Sequence, residues 1–149
     1  PVDNLSVQQI KDMYSGKYER WSEVGGDDSK ITALIRAEGS GSQTAMISFM
    51  QDTPFAPSKN IFTGRAIGYS FRYYISGIVG DSNIKLLSLE GVKPTKENIR
   101  NKTYPVVSNF YAIYRASDSE RKDIKKVIDF ALSKKGQQIV EETGYVSLD

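Results

Sequence analysis

Apolar positions along the chain change their period several times, and each change marks an element. Val7, Ile10, Met13 and Tyr14 recur at helical spacing behind Ser6. This predicts a helix over 6–14, with Ser6 as N-cap and Ser15-Gly16 as its stop. Ile31 to Arg36 is a β-branched, mostly apolar run with a charged end, which predicts a largely buried strand. Glu38 to Thr44 is rich in Gly and Ser and reads as a loop; helical spacing resumes with Ala45, Met46, Phe49 and Met50. Asp52 to Asn60, with Pro54 and Pro57, is loop. Ala66–Tyr74 and Ile84–Leu89 are strand candidates, and Thr95 is placed to cap a short helix through Ile99. Val106 to Tyr114 alternates, with Phe110, Ala112 and Tyr114 opposed to Tyr111 and Ile113, which predicts a strand. Ser117 to Glu120 offers a capping box for a helix whose stripe is Ile124, Val127, Ile128, Ala131 and Leu132. Gly136 is expected to interrupt that helix, which resumes over 137–143 and ends at Gly144. Strands alternating with helices predict an α/β domain.

The composition removes whole classes of chemistry. The 149 residues include neither Cys nor His. Thiol and imidazole catalysis are therefore excluded, and zinc loses both of its favoured ligands. No apolar run approaches the roughly 18–20 residues that span a bilayer. The formal net charge is only +2, which argues against a nucleic-acid binder. No carboxylate pair stands out for general acid and base work, so no enzymatic activity and no cofactor are expected. Tyr69, Tyr73, Tyr74, Tyr104, Tyr111 and Tyr114 lie on strand-like segments, where packing is the expected role, and Trp21 reads as a packing anchor. Lys122, Lys125, Lys126, Lys134 and Lys135 mark a solvated helix face.

One stretch points to a ligand. Gly39-Ser40-Gly41-Ser42-Gln43-Thr44 stands between a strand and a helix. Glycines let successive backbone N–H groups converge on an anion, and a helix start behind them adds about half a positive charge. Ser40, Ser42 and Thr44 add hydroxyls, and Arg36 can add a fork of charged donors. The alternative is a plain Gly/Ser turn with a capping serine; Arg36, four residues before Ser40, favours the anion site. Nucleotide motifs fail here. The dinucleotide fingerprint needs a glycine where Thr44 stands, and no Gly-Lys-Ser/Thr follows. Glu38, the nearest acid, reads as a solvent-exposed loop residue.

These residues, taken together, resemble a known family. Pro1-Val2-Asp3-Asn4-Leu5-Ser6, Trp21-Ser22-Glu23-Val24-Gly25-Gly26, Arg36-Ala37-Glu38-Gly39-Ser40-Gly41-Ser42, Gly91-Val92-Lys93-Pro94-Thr95 and Gly144-Tyr145-Val146 are similar, in order, to phosphate-binding proteins of ABC importers. The resemblance implies one lobe of a type II periplasmic-binding-protein fold, a mixed sheet flanked by helices, filling residues 1–149. It further implies a returning hinge strand near Tyr104–Arg115, a C-terminal helix, and an N-terminal lobe absent from this chain. Arg36, Ser40, Gly41 and Ser42 are the phosphate-binding residues that carry over, with Ser42 where Thr is common. The implied partners are inorganic phosphate and the membrane permease of an ABC importer, with no nucleic acid. The implied location is extracytoplasmic, in a parent secreted or lipid-anchored as a lipoprotein. A module of the same fold that senses anions or binds proteins without transport stands as the alternative.

Overall fold

Ser6 starts the first helix with a reciprocal pair of bonds. Its Oγ accepts from the Gln9 amide at 3.0 Å, and Gln9 Oε1 accepts from the Ser6 amide at 2.8 Å. This satisfies two of the amides that a helix start otherwise leaves without acceptors. The computed structural model describes residues 2–57, 65–72, 75 and 84–148. Among these the order is β1 (Asn4–Leu5), α1 (Val7–Tyr14), β2 (Thr32–Ala33), α2 (Gly41–Met50), β3 (Ala66–Ile67), β4 (Ser88–Leu89), α3 (Lys96–Arg100), α4 (Lys122–Leu132) and α5 (Lys134–Glu142). Short 3-10 turns occupy Trp21–Val24 and Ala116–Asp118.

The ladders are short and parallel. β1 pairs with β4 (Asn4 opposite Ser88, Leu5 opposite Leu89), and β2 pairs with β3 (Thr32 opposite Ala66, Ala33 opposite Ile67). Isolated antiparallel bridges join Arg20 to Lys30 and Leu89 to Val92, so both pairing senses occur. Parallel neighbours need a crossover, and helices between the strands supply it. Leu5, Met13, Tyr14, Trp21, Met46, Met50, Ile67 and Leu89 form the buried core. Trp21 anchors it, donating its indole N–H to the Arg65 carbonyl at 3.1 Å. Tyr14 donates its hydroxyl to the Ile67 carbonyl at 3.2 Å, and burial pushes its phenol pKa up. Asp12, also buried, accepts from Gln8 and Lys17, which hold its carboxyl below the usual range.

Several expected elements change. The strand expected over 31–36 contracts to Thr32–Ala33 and is half-buried, with Leu34 exposed. β3 is its ladder partner among the described residues, and pairing ends where β3 ends. The run expected from Ala66 is a strand only at Ala66–Ile67, and Tyr73 and Tyr74 lie outside the described residues. The run at 84–89 is a strand only at Ser88–Leu89. Val106–Tyr114 forms no strand, because no ladder partner meets it among the described residues. Tyr111 and Tyr114 are exposed rather than packed. Ser117 does not cap α4. A 3-10 turn takes Ala116–Asp118, and Arg121 precedes the helix without a side-chain cap bond.

The break near the end falls at Ser133, not Gly136. Ser133 ends α4 and caps α5, accepting from the Gly136 amide at 3.2 Å. The expected Gly144 stop is present: Gly144 donates to Glu141 and Tyr145 to Val140, which closes a Schellman motif. The Thr95 cap, accepting from the Asn98 amide at 3.1 Å, and the exposed lysine face of α4 and α5 also match expectation.

Candidate anion-binding site

The helix expected to begin at Ala45 begins four residues earlier. Ser40 is extended and its Oγ accepts from the Gln43 amide at 3.2 Å, making Gly41 the first helical residue. The Gly/Ser stretch is therefore not all loop; most of it is the first turn of α2. Gly39 has φ +79°. An added Cβ there would meet nothing within 4 Å. Glycine serves the left-handed backbone at this position, not a lack of space.

Helix geometry sets the donors. The Gly41 and Ser42 amides open the helix and have no intrahelical acceptor, and they carry the positive end of the helix dipole. The Ser42 side chain adds a hydroxyl in the same turn. Ser40 is partly engaged, since its Oγ caps the helix and its amide donates to the Ala37 carbonyl at 3.2 Å. Thr44 turns its hydroxyl back onto the Ser40 carbonyl at 3.2 Å. Arg36 is exposed just past β2, and Glu38 is exposed beside it.

The backbone of Arg36 is tied to this turn. Its amide donates to Tyr69 Oη at 3.0 Å and to Gln43 Oε1 at 3.2 Å. The Tyr69 hydroxyl donates in turn to Gln43 Oε1. The structure thus brings Arg36 to the first turn of α2 through Tyr69, expected only to pack, and Gln43, to which no role was assigned. One signal was available: Ser40-x-x-Gln43 has the capping-box spacing.

A second groove, of about 530 Å³, lies at the other strand pair, between Asp3, Arg72, Lys93 and Lys96. Three of these charges are engaged locally. Arg72 donates to the Pro94 carbonyl, Lys96 to Glu141, and Asp3 accepts from Lys85. Among the described residues no cluster of three or more acidic side chains could hold a metal ion. No helix among them is long and apolar enough to cross a membrane.

Residues 1–135 match the PBP superfamily domain. The chain belongs to that superfamily. The phosphate-binding protein PstS of Borreliella burgdorferi is 27% identical over 167 residues, covering 99% of this chain and 59% of that protein. PstS of Bacillus subtilis is 27% identical over 159 residues, covering 97% and 51%. A solved structure from Clostridium perfringens, named as a phosphate ABC transporter substrate-binding protein with bound phosphate, superposes with TM-score 0.82 at 32% identity. It covers 100% of this chain and 65% of that one. An ABC-type phosphate transport receptor from Vibrio cholerae gives 0.74 at 25% identity. The α/β fold of these phosphate-binding proteins is thus the fold of this superfamily member. The chain spans about half the length of the curated relatives it matches.

Proposed function

We propose that this chain is the phosphate-binding lobe of an extracytoplasmic solute-binding protein that serves an ABC phosphate importer. The observation that carries the reading is the opening turn of α2, where Ser40, Gly41 and Ser42 present helix-start donors and Arg36 is tied to the same turn. A tetrahedral oxyanion matches that donor set. The Arg36 guanidinium offsets its charge, the Gly41 and Ser42 amides cradle its oxygens, and the serine hydroxyls complete the shell. On this reading the site binds and releases its ligand. The relatives named for phosphate binding and phosphate transport support the same ligand and the same permease partner.

One lobe offers one wall of such a site. The returning segment 105–115 and α4 leave an apolar face uncovered, with Ile113 92% exposed and Val127 69% exposed. That exposure supports a second lobe, N-terminal in the whole protein, which covers this face and closes over the ligand. Water on the open side weakens charge interactions severalfold. The chain alone is expected to bind phosphate only in the millimolar range, about 4 kcal/mol.

Calorimetry tests the site in a protein carrying both lobes. Arg36→Ala should weaken phosphate at least about tenfold, since a bond to a charged group contributes roughly 1.5–3 kcal/mol. Unchanged affinity would remove the assignment.

A further inference from the structure

The chain starts two helices with the same sequence device, and only one of them closes. Ser6-x-x-Gln9 and Ser40-x-x-Gln43 both place a glutamine three residues after a capping serine. In α1 the Gln9 side chain returns to the Ser6 amide at 2.8 Å. In α2 the Ser40 amide is taken by the Ala37 carbonyl, and Gln43 reaches instead to the Arg36 amide at 3.2 Å. Gln43 is 7% exposed, so its amide oxygen does work that water could not do there.

Tyr69 completes the arrangement from the far side of the β2–β3 ladder. Its hydroxyl accepts from the Arg36 amide at 3.0 Å and donates to Gln43 Oε1. The Tyr69 ring meets the buried Tyr14 ring edge-on, with centroids 5.6 Å apart. Tyr14 is fixed in turn by its bond to the Ile67 carbonyl of β3. The chain of contacts runs from the core through two aromatic rings to the backbone of Arg36. A backbone hydrogen bond does not touch a ligand. It does fix where the Cα of Arg36 sits relative to the amides of Gly41 and Ser42, and a charged fork helps a bound anion only when it is held in register with its other donors.

We propose that Tyr69 and Gln43 are positioning residues of the anion site: together they clamp the Arg36 backbone to the first turn of α2 and so preset Arg36 for a tetrahedral oxyanion. The proposal rests on the functional reading above. Its ligand chemistry is that of inorganic phosphate, and neither residue contacts the anion.

The 149-residue chain is titrated with sodium phosphate at constant ionic strength, followed by amide NMR. The variants are Tyr69→Phe, Gln43→Met, Arg36→Ala, and each of the first two combined with Arg36→Ala. Amide exchange of Arg36 is measured in the phosphate-free protein. Tyr69→Phe keeps the ring against Tyr14 and removes only the hydroxyl; Gln43→Met keeps the length and removes the acceptor. Each single variant should weaken phosphate three- to tenfold and speed Arg36 amide exchange. Neither should weaken it further when Arg36 is already Ala. A merely structural role would instead give the same loss in both backgrounds, and that result overturns the clamp. Full affinity in Tyr69→Phe and Gln43→Met, beside a loss in Arg36→Ala, overturns it while leaving the site in place. Unchanged affinity in Arg36→Ala removes the site and the clamp's role together, even if Tyr69→Phe still speeds Arg36 exchange.

Discussion

Residues 2–104 and residues 105–132 have similar patterns of apolar periodicity and opposite fates. The first region holds the eight apolar side chains that are buried among the described residues, from Leu5 to Leu89. In the second, no apolar side chain is buried: Tyr111 is 76% exposed, Ile113 92% and Val127 69%. Phe110 joins the two, resting against Phe71 and Tyr145 with ring centroids 5.4 and 4.8 Å away. α5, which follows the second region, makes a further connection to the first. Glu141 accepts from Lys96 at 2.9 Å and Arg100 at 2.5 Å, and also takes the Ser147 amide and hydroxyl. Periodicity specifies a face, while burial requires something to cover it. A large exposed apolar face is the mark of an interface.

Truncation on the covered side should cost the most stability. Leu5 is fully buried where β1 meets β4, and Leu5→Ala should cost about 2–5 kcal/mol in urea unfolding of the chain. A loss below about 1 kcal/mol would mean that the packed region is not a well-packed core.

Gly136 tests the junction between α4 and α5. A Cβ there would lie 2.2 Å from the Phe130 carbonyl oxygen and 2.6 Å from that of Ala131. Both are backbone atoms, so the helices themselves must shift. Gly136→Ala should cost about 1–3 kcal/mol and show as lost helical circular dichroism, although the neighbouring surface is open.

Acid probes the tie between the regions. Hydrogen bonds from the Ser147 amide, Lys96 and the Ser147 hydroxyl hold the Glu141 carboxyl at about 2, below its ordinary 4.5. A carboxyl whose pKa is depressed by folding stabilises the fold fully above the unfolded value and loses that contribution as pH falls through the folded one. Stability should therefore decline between about pH 4.5 and pH 2. Glu141→Gln should flatten that decline, and amide exchange in α5 and Ser147 should show it first.

The smallest expected effect is the most telling. Ile113→Ser changes the most exposed of these apolar residues, and should alter the stability of this chain by no more than about 0.5 kcal/mol. It should also reduce binding of a hydrophobic dye. A loss comparable to that of Leu5→Ala would mean that the face is covered in this chain after all.

Local interactions made much of the molecule legible. The Ser6 and Thr95 caps and the Gly144 stop depend on neighbours a few residues away, so the chain itself carries them. Arg36 and the Gly/Ser stretch were legible as one motif for the same reason. Strand lengths were not, because a ladder ends where its partner ends, and the partner of Thr32–Ala33 is Ala66–Ile67, more than thirty residues on.

The two serine–glutamine caps divide the matter most clearly. The local pattern marked Ser6 as a helix start, since a hydroxyl three residues from an amide needs no other part of the fold, whereas Ser40 read as part of a loop and caps a helix only in the structure. Long-range packing sets that Gln9 closes its own cap while Gln43 holds Arg36. That choice depends on Tyr69, which reaches Gln43 only once β3 lies beside β2. It also decided that 106–114 stays without a ladder, because a strand's hydrogen bonds belong to two segments, and among the described residues this one meets no second.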